Sequence, residues 1–400
     1  MSLPGTSQFI QSRILSPVRE FIKDSRSVGI TLILCTIISI FLSNSAWSAS
    51  YLSFWQKKLS MPAEGIHLPH TLLHVINDAL MAVFFLLAGM EIKRELVAGE
   101  LASIKKSLLP VIAALGGMIV PALFYTSWCG GTIYSNGWGI PMATDIAFSL
   151  GVLSLLGKKA PLSLRIFLTA LAIIDDLGGI LTIAVFYTGQ MNMTYLALAG
   201  LLFMVLVTMN LLKVSRIYLF FVPGLLLWYC VFNSGIHATV AGILLALTIP
   251  MKKIDRLEHA LHDPVNFLIL PLFALANTTI VFPADIGTVL TSPVHHAVLT
   301  GLFIGKPLGI FIFSLLAVKA RLAALPDGMH LKHLAGMGMV AGIGFTMSIF
   351  MATLAFTSPG VQLTAKIAII TASLLSGITG YIYLRLLGRK KAPVTKRQKP

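Results

Sequence analysis

Asp175 and Asp176 stand side by side in LTALAIIDDLGGILTIAVFYT, near the middle of a long apolar run. Ionisable side chains in such a run are costly in a bilayer and are functional candidates by default. Neighbours on a helix point about 100° apart, so the two carboxylates do not form one chelate, but both can border one small polar cavity. In a poorly hydrated cavity a carboxylate can hold a proton under one condition and offer its oxygens to a cation under another. Hard cations such as Na⁺ suit oxygen ligands. Proton and cation then compete for the same atoms, which is the chemistry of exchange. A polar pair that only locks helices together is the plainer reading, yet one Asn or Ser would do that at lower cost.

Few other ionisable residues fall in apolar surroundings: Asp78, Asp145 and Lys306, with Glu91 and Glu95 at a helix end and His237 in a short expected span. Asp145 lies in NGWGIPMATDIAFSLG, where Gly137, Gly139 and Pro141 precede it. Proline removes a backbone donor and disrupts the preceding turn, so this span is expected to be interrupted. A break at membrane depth is tolerated where it lines a cavity. A carboxylate there would offset the positive ends of half-helices; a simple proline kink is the alternative. A second interruption is expected in MVAGIGFTMSIFMATLAF, at Gly342 and Gly344. Lys306, in LFIGKPLGIFIF, needs a partner if buried. Asp175, Asp145 or carbonyls freed at a half-helix end could supply it, or the side chain could snorkel to the surface.

These residues must be positioned by membrane spans. Apolar residues make up 56% of the 400-residue chain and charged ones 11%, and the mean hydropathy is +0.87, values that exclude an ordinary water-soluble enzyme. Spans are expected near 28–43, 71–92, 107–128, 133–156, 162–187, 194–212, 217–232, 235–250, 262–282, 296–318, 333–356 and 363–386, twelve in all, with 217–232 and 235–250 short. The basic residues support this count. With a cytoplasmic N-terminus, 25 of the 30 Lys and Arg fall on the cytoplasmic side and only Lys57 and Lys58 on the other. The net charge of +15 therefore reads as an orientation signal in short clusters, not as a nucleic-acid surface.

Two interrupted spans at matching places suggest inverted repeats. The expected repeats are about 107–187 and 296–386, three spans each, within a transmembrane domain of 28–386. Residues 1–27 read as an interfacial amphipathic leader rather than a cleaved signal, and 387–400 as a basic cytoplasmic tail. The loop 44–70, with Trp47, Tyr51, Phe54 and Trp55, could be an aromatic belt, an extracellular hairpin or a self-association surface. Cys35, Cys129 and Cys230 are far apart and read as small apolar residues.

Several segments together, INDALMAVFFLLAGMEIKRE, ATDIAFSLGVL, LAIIDDLGGI, GIHATVAGI, LILPLFALAN, IGKPLGI and GIGFTMSIF, resemble the NhaA-type sodium/proton antiporters of bacteria. The resemblance runs from about Val28 to Arg385. It implies an all-α polytopic fold of twelve transmembrane helices, with two inverted three-helix repeats whose broken helices cross near the midplane. It implies a multi-pass protein of the bacterial inner membrane with both termini cytoplasmic. Its implied activity is electrogenic, pH-regulated exchange of cytoplasmic sodium, or lithium, for external protons, with no resident cofactor. The resemblance makes Asp175 and Asp176 the carboxylates that bind the transported Na⁺ and protons, with Thr144 as a ligand beside them. Asp145 and Lys306 become charges that balance broken-helix ends, with Lys306 pairing with Asp175 when sodium is absent. Glu91, Arg94, Glu95, Glu258, His259 and His262 resemble a cytoplasmic pH-response cluster, and the 44–68 loop resembles a hairpin used for homodimerisation. From the residues alone, charged groups at a helix end are usually solvated, although histidine titrates near neutral pH.

Rival readings, two enzymes and a symporter, fare worse. A membrane prenyltransferase would need DDxxD-like motifs, and the run here is Asp175-Asp176-Leu177-Gly178-Gly179 without a third Asp. An intramembrane aspartyl protease would need GxGD, which does not occur. A sodium-coupled symporter of similar architecture would need a larger polar or aromatic pocket.

Overall fold

The computed structural model describes residues 27–59, 67–214 and 216–389. Among them the chain is helical, and the one extended pairing is an isolated antiparallel bridge between Lys58 and Thr71. In chain order the first helices are α1 (Ser27–Ser43), α2 (Ser48–Gln56), α3 (Leu72–Val97) and α4 (Ile104–Cys129). A 3₁₀ segment, Ser135–Met142, leads to α5 (Ile146–Leu155), followed by α6 (Leu162–Phe186), α7 (Met193–Leu211), α8 (Tyr218–Ser234), α9 (Thr239–Thr248) and α10 (Met251–Asn277). The last are α11 (Pro293–Lys319), α12 (Leu331–Ala341), α13 (Phe345–Ala355) and α14 (Pro359–Arg389).

Eight helices are long and apolar enough to cross a membrane, or ten if each of two bent pairs counts as one span. The bent pairs are α1 with α2, turned by 115°, and α12 with α13, turned by 50°. The two spans expected to be short are short. Helix α8 has 17 residues and α9 only 10. At 1.5 Å per residue, α9 covers roughly half of a hydrocarbon core about 30 Å thick. The segment expected to span 235–250 thus folds as a half-length helix. His237, expected inside that span, lies instead in the connection between α8 and α9. The cause is local: Gly235 takes a left-handed φ of +89° and stops α8. The helix α14 also runs to Arg389, three residues into the stretch expected to be tail.

Contacts divide the chain into two compact units. Among the described residues, unit 1 comprises those up to 98 and those in 180–284, and unit 2 comprises 99–179 and those from 285 onward. In unit 1, α3 packs on α9, α7 on α8, and α10 on α1. Asn77 and Asn277 exchange side-chain hydrogen bonds of 3.3 and 2.8 Å between α3 and α10. Tyr51 of α2 donates to the Leu275 carbonyl at 3.0 Å and so ties the 44–70 region to α10. The strand-like bridge closes the same region, since the Leu59 N–H donates to the His70 carbonyl at 2.9 Å. Met61 and Pro62, like the leader before Ser27 and the tail from 390, lie outside the described residues.

Unit 2 gathers both three-span segments that the sequence pairs as repeats, except for the last part of α6. Its central contact is α4 against α11. Gly116 and Gly309 meet there so closely that a Cβ on either would overlap the other's carbonyl oxygen. Small residues allow this because membrane helices associate through backbone proximity. Helix α12 packs on α11 and α14, and α13 packs on the 3₁₀ segment and on α14. In both segments the middle element is the interrupted one.

Candidate ion-binding site

Both interruptions arise where the sequence removes helix-forming capacity. Pro141 has no N–H to donate, and after Met142 the backbone is extended through Ala143 and Asp145 before α5 begins. In the second break, Gly342 ends α12 and Gly344 precedes α13. A side chain on Gly342 would put its Cβ 2.6 Å from the Leu302 carbonyl oxygen and 2.7 Å from Ser376 Oγ. The residue that breaks the helix is therefore also the one that lets the break pack.

The two breaks are stitched together. The Asp145 N–H donates to the Ile343 carbonyl at 2.7 Å. Asp145 is 2% exposed, and its carboxylate serves two helix starts. Its Oδ1 accepts from the Phe148 N–H of α5 at 2.9 Å. Its Oδ2 accepts from the Thr346 N–H of α13 at 3.1 Å and from Thr346 Oγ1 at 2.5 Å. A single negative charge thus faces the unsatisfied N–H groups and positive dipole ends of two half-helices. Ser348 Oγ donates to the Ile140 carbonyl at 2.8 Å, and Ser149 Oγ to the Val340 carbonyl at 3.1 Å, so each half-helix holds the opposite break.

The carbonyl ends carry the complementary partners. Lys306 is fully buried, and its Nζ donates to the Met142 carbonyl at the end of the 3₁₀ segment. The same ammonium lies 2.8 Å from Asp175 Oδ2, with both side chains at 0% exposure. It does not snorkel to the surface. A π-type stretch at Gly301–Gly305 comes immediately before Lys306; such bulges are frequent at functional sites. Thr144 Oγ1 is within hydrogen-bond distance of Asp175 Oδ2, at 2.8 Å, and of the Ala341 carbonyl closing α12, at 3.1 Å. One hydroxyl proton serves both acceptors, so a group that takes over Asp175 Oδ2 can leave it on Ala341. The other oxygen, Asp175 Oδ1, is buried without a hydrogen-bond donor and points towards Gly117 of α4. An unpaired carboxylate oxygen in a dry site is costly, and a cation or a proton would satisfy it. Asp176 follows on α6, 8% exposed.

The remaining sequence candidates lie in unit 1. Arg94 of α3 forms an ion pair with Glu258 of α10 and a longer one, 3.5 Å, with Glu95. Glu91 is half-buried on α3, one turn before Glu95. His259 is exposed, and His262 bonds to Asp263 at 3.4 Å and Asn266 at 3.1 Å. Asp78 is half-buried in a π-type stretch, Val75–Leu80, and its main-chain carbonyl accepts from Trp228 Nε1 at 3.0 Å.

Two residues matter here that the sequence reading passed over. Thr346 holds Asp145 across the crossing, and its only sequence signal is its place two residues after Gly344. Lys93, one residue beyond the span expected at 71–92, donates from Nζ to the Leu247 and Ile249 carbonyls at 2.7 and 2.6 Å and so caps the end of α9.

Comparison with known proteins identifies a family. Residues 19–384 match the family described as Na⁺/H⁺ antiporter 1. A protein named Na(+)/H(+) antiporter NhaA 1 from Flavobacterium johnsoniae is 46% identical, over 94% of this chain and 98% of its own length. Relatives named Na(+)/H(+) antiporter NhaA in Flavobacterium psychrophilum and Citrobacter koseri are 47% and 45% identical, over 93% and 92% of this chain and 97% of their own lengths. These relatives are named as transporters, not enzymes. By the extent and identity of these matches, the chain belongs to the Na⁺/H⁺ antiporter 1 family.

Proposed function

We propose that this protein exchanges cytoplasmic Na⁺ for external protons across the bacterial inner membrane, at a site formed by Asp175 and Asp176 with Thr144 beside them. The observation that carries this reading is the fully buried Lys306–Asp175 pair, placed where two helix breaks are bonded together. A buried pair is strongly destabilised when one partner is withdrawn. A sodium ion arriving at Asp175 must therefore replace the lysine's charge, and a proton can do so in turn. The orphaned Asp175 Oδ1 and the movable Thr144 proton supply oxygen atoms for a hard cation without breaking backbone structure. Nothing in the site favours a solute symporter, and the relatives are named as antiporters.

In this mechanism sodium entry displaces Lys306. The ammonium, left without a counter-charge in a dry site, releases its proton. Asp176 gives up a second proton to the same ion, so two positive charges leave the site for the one that arrives, which makes exchange electrogenic. Asp145 stays charged throughout, because its two oxygens are spent on α5 and α13. The two interrupted segments act as inverted repeats of a twelve-span protein with both termini cytoplasmic, and the site faces one side at a time as one bundle rocks against the other. Glu91, Arg94, Glu95, Glu258, His259 and His262 form the pH-response cluster, and the 44–68 region forms the homodimer contact.

The test is proton flux in sealed vesicles of reconstituted protein when Na⁺ is added, with Li⁺ as a second cation, under an imposed membrane potential. The expected result is Na⁺-driven proton movement whose rate follows the potential. Flux indifferent to Na⁺ overturns the function, and flux indifferent to voltage overturns the electrogenic step. Cysteines placed near the site test the motion: reactivity from both sides in a single state would indicate a channel.

A further inference from the structure

Away from the paired carboxylates, unit 2 contains a cavity of about 350 Å³ built at one end of its helices. It lies between the first turns of α4, the start of α6, the 3₁₀ turn Glu100–Ala102 and the connection between α11 and α12. Its chemistry changes along the helix axes. At the helix ends the lining is charged, with Glu100, Lys105, Lys106 and Asp327. One to two turns further in it is apolar, with buried Leu109, Phe167 and Ala170 as its floor. One wall is open where Ile166, 42% exposed, faces outward on a lipid-length helix.

The charges are balanced but not mutually satisfied. Lys106 pairs with Glu100 at 3.1 Å. Among the described residues, Lys105 and Asp327 take part in no ion pair. Among the described residues, the cavity therefore offers one cation and one carboxylate without an ion-pair partner at the helix ends, beside an apolar slot that runs further along the helix axes. An anionic headgroup would satisfy Lys105 and be repelled by Asp327. A headgroup with a phosphate and a primary ammonium satisfies both, and its acyl chain removes the apolar floor from water.

We infer that this cavity is a binding site for a zwitterionic phospholipid with a primary ammonium headgroup, phosphate on Lys105, ammonium on Asp327 and acyl chain over Leu109, Phe167 and Ala170. The ammonium donates hydrogen bonds to the Asp327 carboxylate. A quaternary choline cannot, because it carries no N–H, so the site distinguishes the two headgroups.

The experiment is native mass spectrometry of the detergent-purified full chain, after equilibration with phosphatidylethanolamine, phosphatidylcholine or phosphatidylglycerol. The wild type is expected to retain one phosphatidylethanolamine in preference to the other two. Lys105→Gln and Asp327→Asn, both at exposed positions, are each expected to weaken that retention about three- to tenfold, the effect of one interfacial charge contact. Ala170→Leu, which fills the floor, is expected to abolish it. Vesicle proton flux in the two charge variants shows that they remain folded. Equal retention by wild type and variants overturns the proposal. So does phosphatidylcholine binding as well as phosphatidylethanolamine, or phosphatidylglycerol binding better than either.

Discussion

In unit 1, Arg94 and Glu258 pair with side chains 37% and 13% exposed, whereas in unit 2 Lys306 and Asp175 pair at 0% each. The first pair joins two helices near their ends, and water can replace either partner. Such pairs contribute about 0–1 kcal/mol. The second has no such replacement. Both ions have left water, and removing one leaves the other uncompensated, at a cost of about 3–5 kcal/mol. A partly exposed pair can be adjusted by its surroundings, which suits regulation. A sealed pair can only be exchanged for another charge, which suits transport.

The largest expected effects fall on the sealed site. Asp176→Asn should abolish Na⁺-driven proton movement in vesicles while the protein still inserts, and Asp175→Asn should abolish or severely impair it. Wild-type rates in both would show that the buried pair is only structural. Lys306→Gln sharpens the contrast further, because it leaves Asp175 buried alone. It should lower stability by about 3–5 kcal/mol and reduce the voltage dependence of any remaining exchange. Adding Asp175→Asn to it should restore most of that stability, because both charges are then gone, without restoring transport. Thermal unfolding of the two variants in detergent checks the first half, and vesicle flux checks the second. A double variant no more stable than Lys306→Gln would break the argument from burial.

Next comes Asp145, whose carboxylate serves two helix starts. Asp145→Ala should cost about 2–4 kcal/mol, a cap plus charged hydrogen bonds, read as a lowered unfolding temperature. Thr346→Val should cost less, about 1 kcal/mol, because it removes a hydroxyl but keeps the backbone donor. Equal losses would mean that the carboxylate works through Thr346 Oγ1 rather than through the helix ends.

What was legible in the sequence was what is local. The Asp175–Asp176 pair, Pro141 and the glycines at 342 and 344 announce themselves within a few residues, because each violates the apolar helical pattern that surrounds it. The partner of Lys306 was narrowed to three candidates and no further, since Asp175, Asp145 and free carbonyls all satisfy an ammonium; the structure selects Asp175 and the Met142 carbonyl. Thr346 was invisible because its role depends on two breaks 201 residues apart meeting at one point. The capping role of Lys93 is invisible for the same reason, since the carbonyls it caps lie 154 and 156 residues away. His237 was misplaced because hydropathy continues through GIHATVAGI while the backbone does not: a left-handed glycine leaves no trace in an apolar average.

The smallest effect is expected at Arg94, and it tests the comparison from its weak side. Arg94→Gln removes the cation between Glu258 and Glu95 but keeps a hydrogen-bond donor on the same stem. Glu258 has its Oε2 buried without a hydrogen bond, while Arg94 itself is over a third exposed, so water can take over part of the lost contact. The stability cost should therefore stay within about 1 kcal/mol. Maximal exchange should remain within about a factor of five of wild type, the most that such an energy can change a rate. What should move is the pH at which exchange switches on, because Glu258, Glu95 and the neighbouring Glu91 lose the positive charge that separates them. Vesicle flux measured across a pH series decides between the outcomes. A displaced profile with an undiminished maximum keeps the cluster regulatory. A uniform loss at every pH would put Arg94–Glu258 on the same footing as Lys306–Asp175, and burial would no longer tell the regulatory pair from the transporting one.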